Sequence, residues 1–172
     1  TFITCPRILI KGDVEITGLT KAERADVRLQ RIGFVFQAYN LIPVLTVQEN
    51  VEFVMQLQGV AARDRKLRSQ DILEEVGLTG LESRRPAQLS GGQQQRVAVA
   101  RAIASKPVLI LADEPTANLD TKTSAQLLEL FTQLNQQHGI TFLIATHDAQ
   151  VFDYCRRHIH MVDGQIVTDS AS

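Results

Sequence analysis

The sequence predicts a parallel α/β fold interrupted by a helical segment, and three observations carry that prediction. Val108–Ala112 and Thr141–Ala145 are short, nearly continuous apolar runs, the pattern of strands covered on both faces. The stretches between successive strands are long enough for the crossover helices that parallel pairing requires. From Thr46 to Pro86 the pattern is helical throughout. The 172 residues amount to about one domain, and 44% hydrophobic with 22% charged residues excludes a wholly disordered or fibrous chain. We therefore expect one domain over 1–172, with an α/β core from 12–37 and 106–172 and a helical part at 38–105.

Each element has a local reason. Val14–Ile16 and Ile32–Phe36 are β-type runs, and Thr20-Lys21-Ala22-Glu23 between them is a capping box that opens a helix toward Leu29. A second box, Thr46-Val47-Gln48-Glu49, starts a helix to Leu57. A helix from about Arg65 to Val76 stops at Gly77. Ser90 N-caps a helix from about Gln94 to Ala104, with Val97, Ala100, Ile103 and Ala104 on one face. The strand series continues through Ile159–Val162, and Asp163-Gly164 is a type I′ turn into Gln165–Val167.

Charge and cysteine content narrow the function classes. Lys plus Arg total 18 against 19 Asp plus Glu, a net charge of −1, so nothing marks a nucleic-acid partner. The longest apolar run, Val108–Ala112, is far short of the roughly 18 residues of a membrane span. Cys5 and Cys155 support neither a disulfide framework nor a zinc site, so a reducing, cytoplasmic setting is expected.

The chemistry-bearing residues gather at strand ends. Asp113 and Glu114 follow the strand Val108–Ala112, at the carboxyl edge where open α/β sheets bind ligands. Two acids there can divide labour, one holding a hydrated Mg²⁺ and one polarising a water. A strand that merely ends in polar residues would look the same. His147 and Gln37 end their own strands at the same edge, and that convergence favours a site. In Leu89-Ser90-Gly91-Gly92-Gln93 two glycines leave backbone N–H groups open at a helix N-terminus, which suits a phosphate, although any Ser-Gly-Gly turn would also cap a helix.

Taken together these motifs resemble the ATP-binding-cassette ATPases. Leu89–Gln93 resembles their signature, Val108–Glu114 their Walker B strand with its glutamate, Ala117–Asp120 their D-loop, Thr146–Asp148 their H-switch and Phe36-Gln37 their Q-loop. Gly33–Gln37, Leu45–Val51 and Asp113–Asp120 resemble the lipoprotein-releasing, macrolide-exporting and cell-division type. The resemblance implies a P-loop NTPase-like core, ATP and Mg²⁺ as ligands, and two cassettes closing head to tail on nucleotide at the cytoplasmic face of the inner membrane, peripheral to a transmembrane permease. It implies that Asp113 and Gln37 hold Mg²⁺, that Glu114 is the general base, and that His147 and Gln37 assist catalysis. Ser90, Gly91, Gly92, Gln93 and Asp120 would bind ATP across the dimer interface. DNA-maintenance ATPases share the signature but insert long coiled coils, for which the stretch between Gln37 and Leu89 has neither length nor heptads.

One family feature is absent from these residues. No G-x-x-x-x-G-K-[ST] occurs, and none of the ten glycines is followed by lysine. We expect the chain to be a cassette that starts just past its P-loop, with Thr1–Cys5 in the helix that follows that loop, and to be inactive by itself. The alternative is a degenerate, non-catalytic cassette serving a structural or regulatory role. Arg63, Arg65, Lys66 and Arg68 read as a solvated helix face because Asp64, Asp71, Glu74 and Glu75 lie among them, and Arg84-Arg85 and Arg156-Arg157 also read as surface. Tyr39, Leu41 and Ile42 are candidate apolar anchors for a partner helix, with core packing as the competing role.

Overall fold

A computed structural model describes residues 9–10 and 14–171, with side chains from residue 16 onward. The expected positions of Thr1–Cys5 and of Gly12-Asp13 lie outside those residues. Strands β1 (Leu9–Ile10) and β2 (Val14–Glu15) form a short antiparallel pair, of which β1 adds to the expected elements. Both expected capping boxes are present. The Thr20 hydroxyl accepts from Glu23 N–H, whose carboxylate accepts from Thr20 N–H, and helix α1 runs Lys21–Arg31. Thr46 and Glu49 do the same for helix α2, Val47–Leu57. Helix α3 spans Ala62–Glu75, starting three residues before the expected Arg65, and Gly77 follows it with φ +73°, a value that favours glycine.

Strands β3 (Ile32–Phe36), β4 (Leu109–Asp113) and β5 (Thr141–Ala145) form the parallel sheet in that order. Ile32 pairs with Leu109 and Leu109 with Thr141, so Phe36, Asp113 and Ala145 end in register. The crossover from β3 to β4 contains α2, α3 and helix α4 (Gly91–Ala104), and helix α5 (Thr121–His138) links β4 to β5. One expectation fails here. Paired positions share a face, and on one face Gly33, Val35, Ile110 and Ala112 are buried, while on the other Leu143 is 54% exposed. Phe142 and Ile144 on the first face and Ile32, Phe34, Phe36, Leu109 and Leu111 on the second are half-buried, so among the described residues one side of the sheet is covered more completely than the other. Phe142 stacks on Phe131 of α5 at 4.7 Å on the more completely covered side.

Helix α4 explains the packing. It begins at Gly91, not Gln94, and its burial is not one-sided: Val97, Ala98, Val99, Ala100, Ala102, Ile103 and Ala104 are all buried, because β3 lies on one side and α2 and α3 on the other. Alanines let those neighbours come close. At Gly33 a Cβ would stand 2.8 Å from the Ala102 carbonyl oxygen, so only glycine allows this strand-to-helix approach. The core runs unbroken from the sheet face through Val47, Val51, Met55, Leu73 and Val76 of the helical segment. Each fully buried side chain of this kind contributes about 1.5–3 kcal/mol.

The third expected parallel strand is different. Residues Arg157–Val162 (β6) pair antiparallel with Gln165–Ala171 (β7) and, among the described residues, not with β5. Asp163 and Gly164 both have positive φ, as the predicted I′ turn demands. The helix expected before β6 is a 3₁₀ segment, Ala149–Tyr154.

Candidate nucleotide site

The register of the sheet builds the site. Gln37 follows Phe36, Asp113 ends β4, and Thr146-His147 follow Ala145, so three adjacent strands deliver Gln37, Asp113, Glu114 and His147 to one edge. An open cleft of about 590 Å³ at this edge is lined by Gln37, Glu114 and His147 together with Thr116, Leu119, Asp148 and others. Asp113 stands beside it on the exposed side.

Glu114 is the best-held side chain of the group. Its backbone turns with φ +44°, a strained value costing about 1–3 kcal/mol, and its N–H donates to the Ala145 carbonyl at 2.9 Å. One carboxylate oxygen, Oε1, lies 2.6 Å from His147 Nδ1 and 3.2 Å from its N–H; the other accepts from the Thr146 hydroxyl at 3.0 Å. Partial burial alone would raise the Glu114 pKa, but the hydrogen bonds and charge from His147 and Thr146 outweigh it and hold the group below its usual range. The same contact raises His147, whose side chain is 86% exposed. Asp148 ties the turn down: it accepts from Thr116 Oγ1 at 3.2 Å, and its N–H donates to Thr146 Oγ1.

Ser90–Gln93 do not line the cleft. Ser90 and Gln93 form a capping box at the start of α4. A Cβ on Gly92 would meet Thr123 Cγ2 at 2.5 Å, and one on Gly91 would meet the Tyr39 hydroxyl at 3.0 Å. These residues are therefore packed against the Asn118–Thr123 segment and the loop after Gln37. Asp120 is the N-cap of α5, accepting from Thr123 N–H at 3.0 Å and from its hydroxyl at 2.6 Å, and these bonds lower its pKa. Asn118 Nδ2 donates to the Gln37 carbonyl at 2.9 Å.

Sequence reasoning missed several supports. Gln95 is fully buried and donates to the Pro115 carbonyl at 2.8 Å, while its Oε1 finds no protein partner among the described residues. Buried Asn50 accepts from Ile42 N–H and donates toward the carbonyls of Ile42, Leu45 and Thr46, fixing the loop after Gln37. Its place at the fourth position of a boxed helix carried no such signal. Of the proposed apolar anchors, Leu41 packs on the core and Tyr39 and Ile42 are half-buried, whereas Val44 is 71% exposed. Arg65 is not part of a solvated face: it donates to the Val60 carbonyl at 2.7 Å and lies 3.7 Å from Glu52.

The donor set suits Mg²⁺ in its usual form. Among the described residues no three His, Cys, Asp or Glu side chains meet as a protein cage. What the edge offers is the Asp113 carboxylate and the Gln37 amide oxygen, hard ligands of the kind that share Mg²⁺ with water and phosphate.

Comparison with known proteins decides the family. The family profile described as ABC transporter matches residues 4–117. The chain belongs to the ABC transporter family. A Thermotoga maritima protein named an uncharacterized ABC transporter ATP-binding protein is 50% identical over 160 residues, 93% of this chain and 68% of that protein. The lipoprotein-releasing system ATP-binding protein LolD of Anaeromyxobacter dehalogenans is 47% identical over 164 residues, covering 92% of this chain and 69% of LolD. A solved dimeric, post-hydrolysis ABC cassette, MJ0796 bound to ADP and Pi, superposes with a TM-score of 0.83 at 38% identity, covering 95% of this chain and 72% of that one. The chain therefore has the α/β fold of an ABC ATPase cassette, and among its described residues no helix is long and apolar enough to cross a membrane.

Proposed function

We propose that this chain is the ATP-hydrolysing part of an ABC transporter, working as a head-to-tail pair of cassettes beneath a transmembrane permease at the cytoplasmic face of the inner membrane. The observation that carries the reading is the Glu114 carboxylate, kept ionised and aimed at the edge where Gln37 and His147 converge. A carboxylate offers about four lone-pair sites, so with Oε1 engaged twice by His147 and Oε2 once by Thr146, Oε2 keeps a site for water. Glu114 polarises the attacking water and accepts its proton, and His147, fixed by Glu114, presents its other ring nitrogen to the terminal phosphate. Bound Mg²⁺ supplies charge neutralisation of the phosphates, with Asp113 and Gln37 as its protein ligands. Ser90, Gly91, Gly92, Gln93 and Asp120 are not among the residues that line their own cleft, which supports their use on the partner cassette's nucleotide.

Among the described residues that line the cleft, none is lysine or arginine. That supports the reading that residues 1–172 by themselves hold ATP weakly and do not turn it over. Calorimetric titration of this stretch with ATP tests it, and micromolar affinity would overturn it. In the full-length protein, Glu114→Gln is expected to lower turnover by about a thousandfold while ATP binding persists. Undiminished hydrolysis would remove Glu114 from the role of base.

A further inference from the structure

We infer that Arg101 is a positioning residue that latches the segment after Gln37 onto helix α4, making the Tyr39-Asn40 turn a two-position element that sets Gln37 against Ser90–Gly92. The inference rests on reading these residues as parts of one nucleotide-driven machine.

Tyr39 and Asn40 have φ values of +60° and +50°, two consecutive left-handed residues of which neither is glycine. Such a pair persists only where its surroundings hold it. The holder is one guanidinium: Arg101 Nη2 donates to the Tyr39 carbonyl at 3.0 Å and Nη1 to the Asn40 carbonyl at 2.5 Å. The planar fork spans both strained peptides at once, which an ammonium does not do. Arg101 is largely buried, and among the described side chains no carboxylate lies within ion-pair distance of it. An unpaired cation is costly to bury unless its protons are satisfied, so those two carbonyls are what make the position tenable.

The same turn carries a second contact. The Tyr39 hydroxyl lies 3.0 Å from where a Cβ on Gly91 would stand, so the side chain rests on the first turn of α4 while its backbone is gripped from the last. Gly91 and Arg101 are ten positions apart, about 15 Å along the helix. With Asn118 holding the Gln37 carbonyl at 2.9 Å, the segment is fixed on both sides of the turn. If Tyr39 and Asn40 relax to extended backbone, Tyr39 leaves Gly91 and Gln37 moves relative to α4.

The test is ¹⁹F NMR of the full-length protein carrying 3-fluorotyrosine, with the Tyr39 signal identified by its loss in Tyr39→Phe. We expect one Tyr39 resonance displaced from the free-tyrosine position, collapsing toward that position in Arg101→Gln. Arg101→Lys, which keeps charge and stem but loses the fork, should give two Tyr39 resonances, and it serves if Arg101→Gln does not fold. Adding Asn40→Gly, which accepts the left-handed φ without strain, should restore the wild-type position. Resonances of Arg101→Gln and Arg101→Lys that superimpose on wild type would overturn the latch, as would a shifted resonance that glycine does not restore. ATP turnover separates the two readings: Arg101→Gln should lower kcat about tenfold with KM nearly unchanged. A wild-type protein without ATPase activity would reject the nucleotide reading, while the resonances still decide the latch.

Discussion

His147 Nδ1 lies 2.6 Å from Glu114 Oε1, joining the ends of β4 and β5 through an imidazole and a carboxylate. Each partner shifts the other toward its charged form.

The pair defines a pH window. Glu114, whose pKa is lowered from 4.5, contributes above that value and loses its contribution as pH falls through the lowered one. His147, raised from 6.5, contributes fully below that value and loses it as pH rises through the raised one. The ion pair is therefore intact from mildly acid to neutral pH. Imidazole titration by NMR is expected to place His147 above its ordinary value, and Glu114→Gln to bring it back. An unshifted His147 in the wild type would contradict the contact.

Gly33→Ala tests the approach of α4 to the sheet. The new methyl meets the Ala102 carbonyl at 2.8 Å, and backbone cannot rotate away as a side chain does. Urea unfolding should show a loss of about 1–3 kcal/mol. A neutral result would mean that β3 and α4 separate easily.

Asn50→Ala removes one acceptor and the donors to three carbonyls from a fully buried position. The expected cost is about 2–4 kcal/mol by the same measurement, because the Ile42 N–H and the carbonyls lose their partner. Asn50→Asp, which keeps the acceptor alone, should also destabilise.

Gln95→Met separates a hydrogen bond from a buried amide. It strands the Pro115 carbonyl but also removes an Oε1 without a protein partner, so its cost should fall to about 1 kcal/mol or less. A loss as large as that of Asn50→Ala would show that Gln95 Oε1 is satisfied after all.

Much of this was legible in the sequence because it is local. Capping boxes at Thr20 and Thr46 gave helix starts to the residue, and the apolar runs gave β3, β4 and β5 nearly to the residue. The strand-end positions of Gln37, Asp113, Glu114 and His147 followed from that order alone. What escaped depends on long-range contact. Nothing near Ala102 announces that Gly33 must face its carbonyl, and although Asp163-Gly164 marked the β6–β7 hairpin, nothing local told that β6, among the described residues, stands apart from β5. The start of α4 was missed because glycines argue against helix, whereas here closeness to Tyr39 and Thr123 requires them in its first turn.

The sheet register also has a kinetic meaning. Ile32 pairs with Leu109, 77 positions later, so β3 and β4 meet only by closing a loop that contains three helices. The β6–β7 hairpin, turned by two residues, closes within microseconds by comparison. Closure of that long loop is the expected rate-limiting search, shortened by whatever collapse α2, α3 and α4 achieve first. Gly33 then belongs to folding speed as well as to stability, since it lies where the returning helix must dock before the strands can zip.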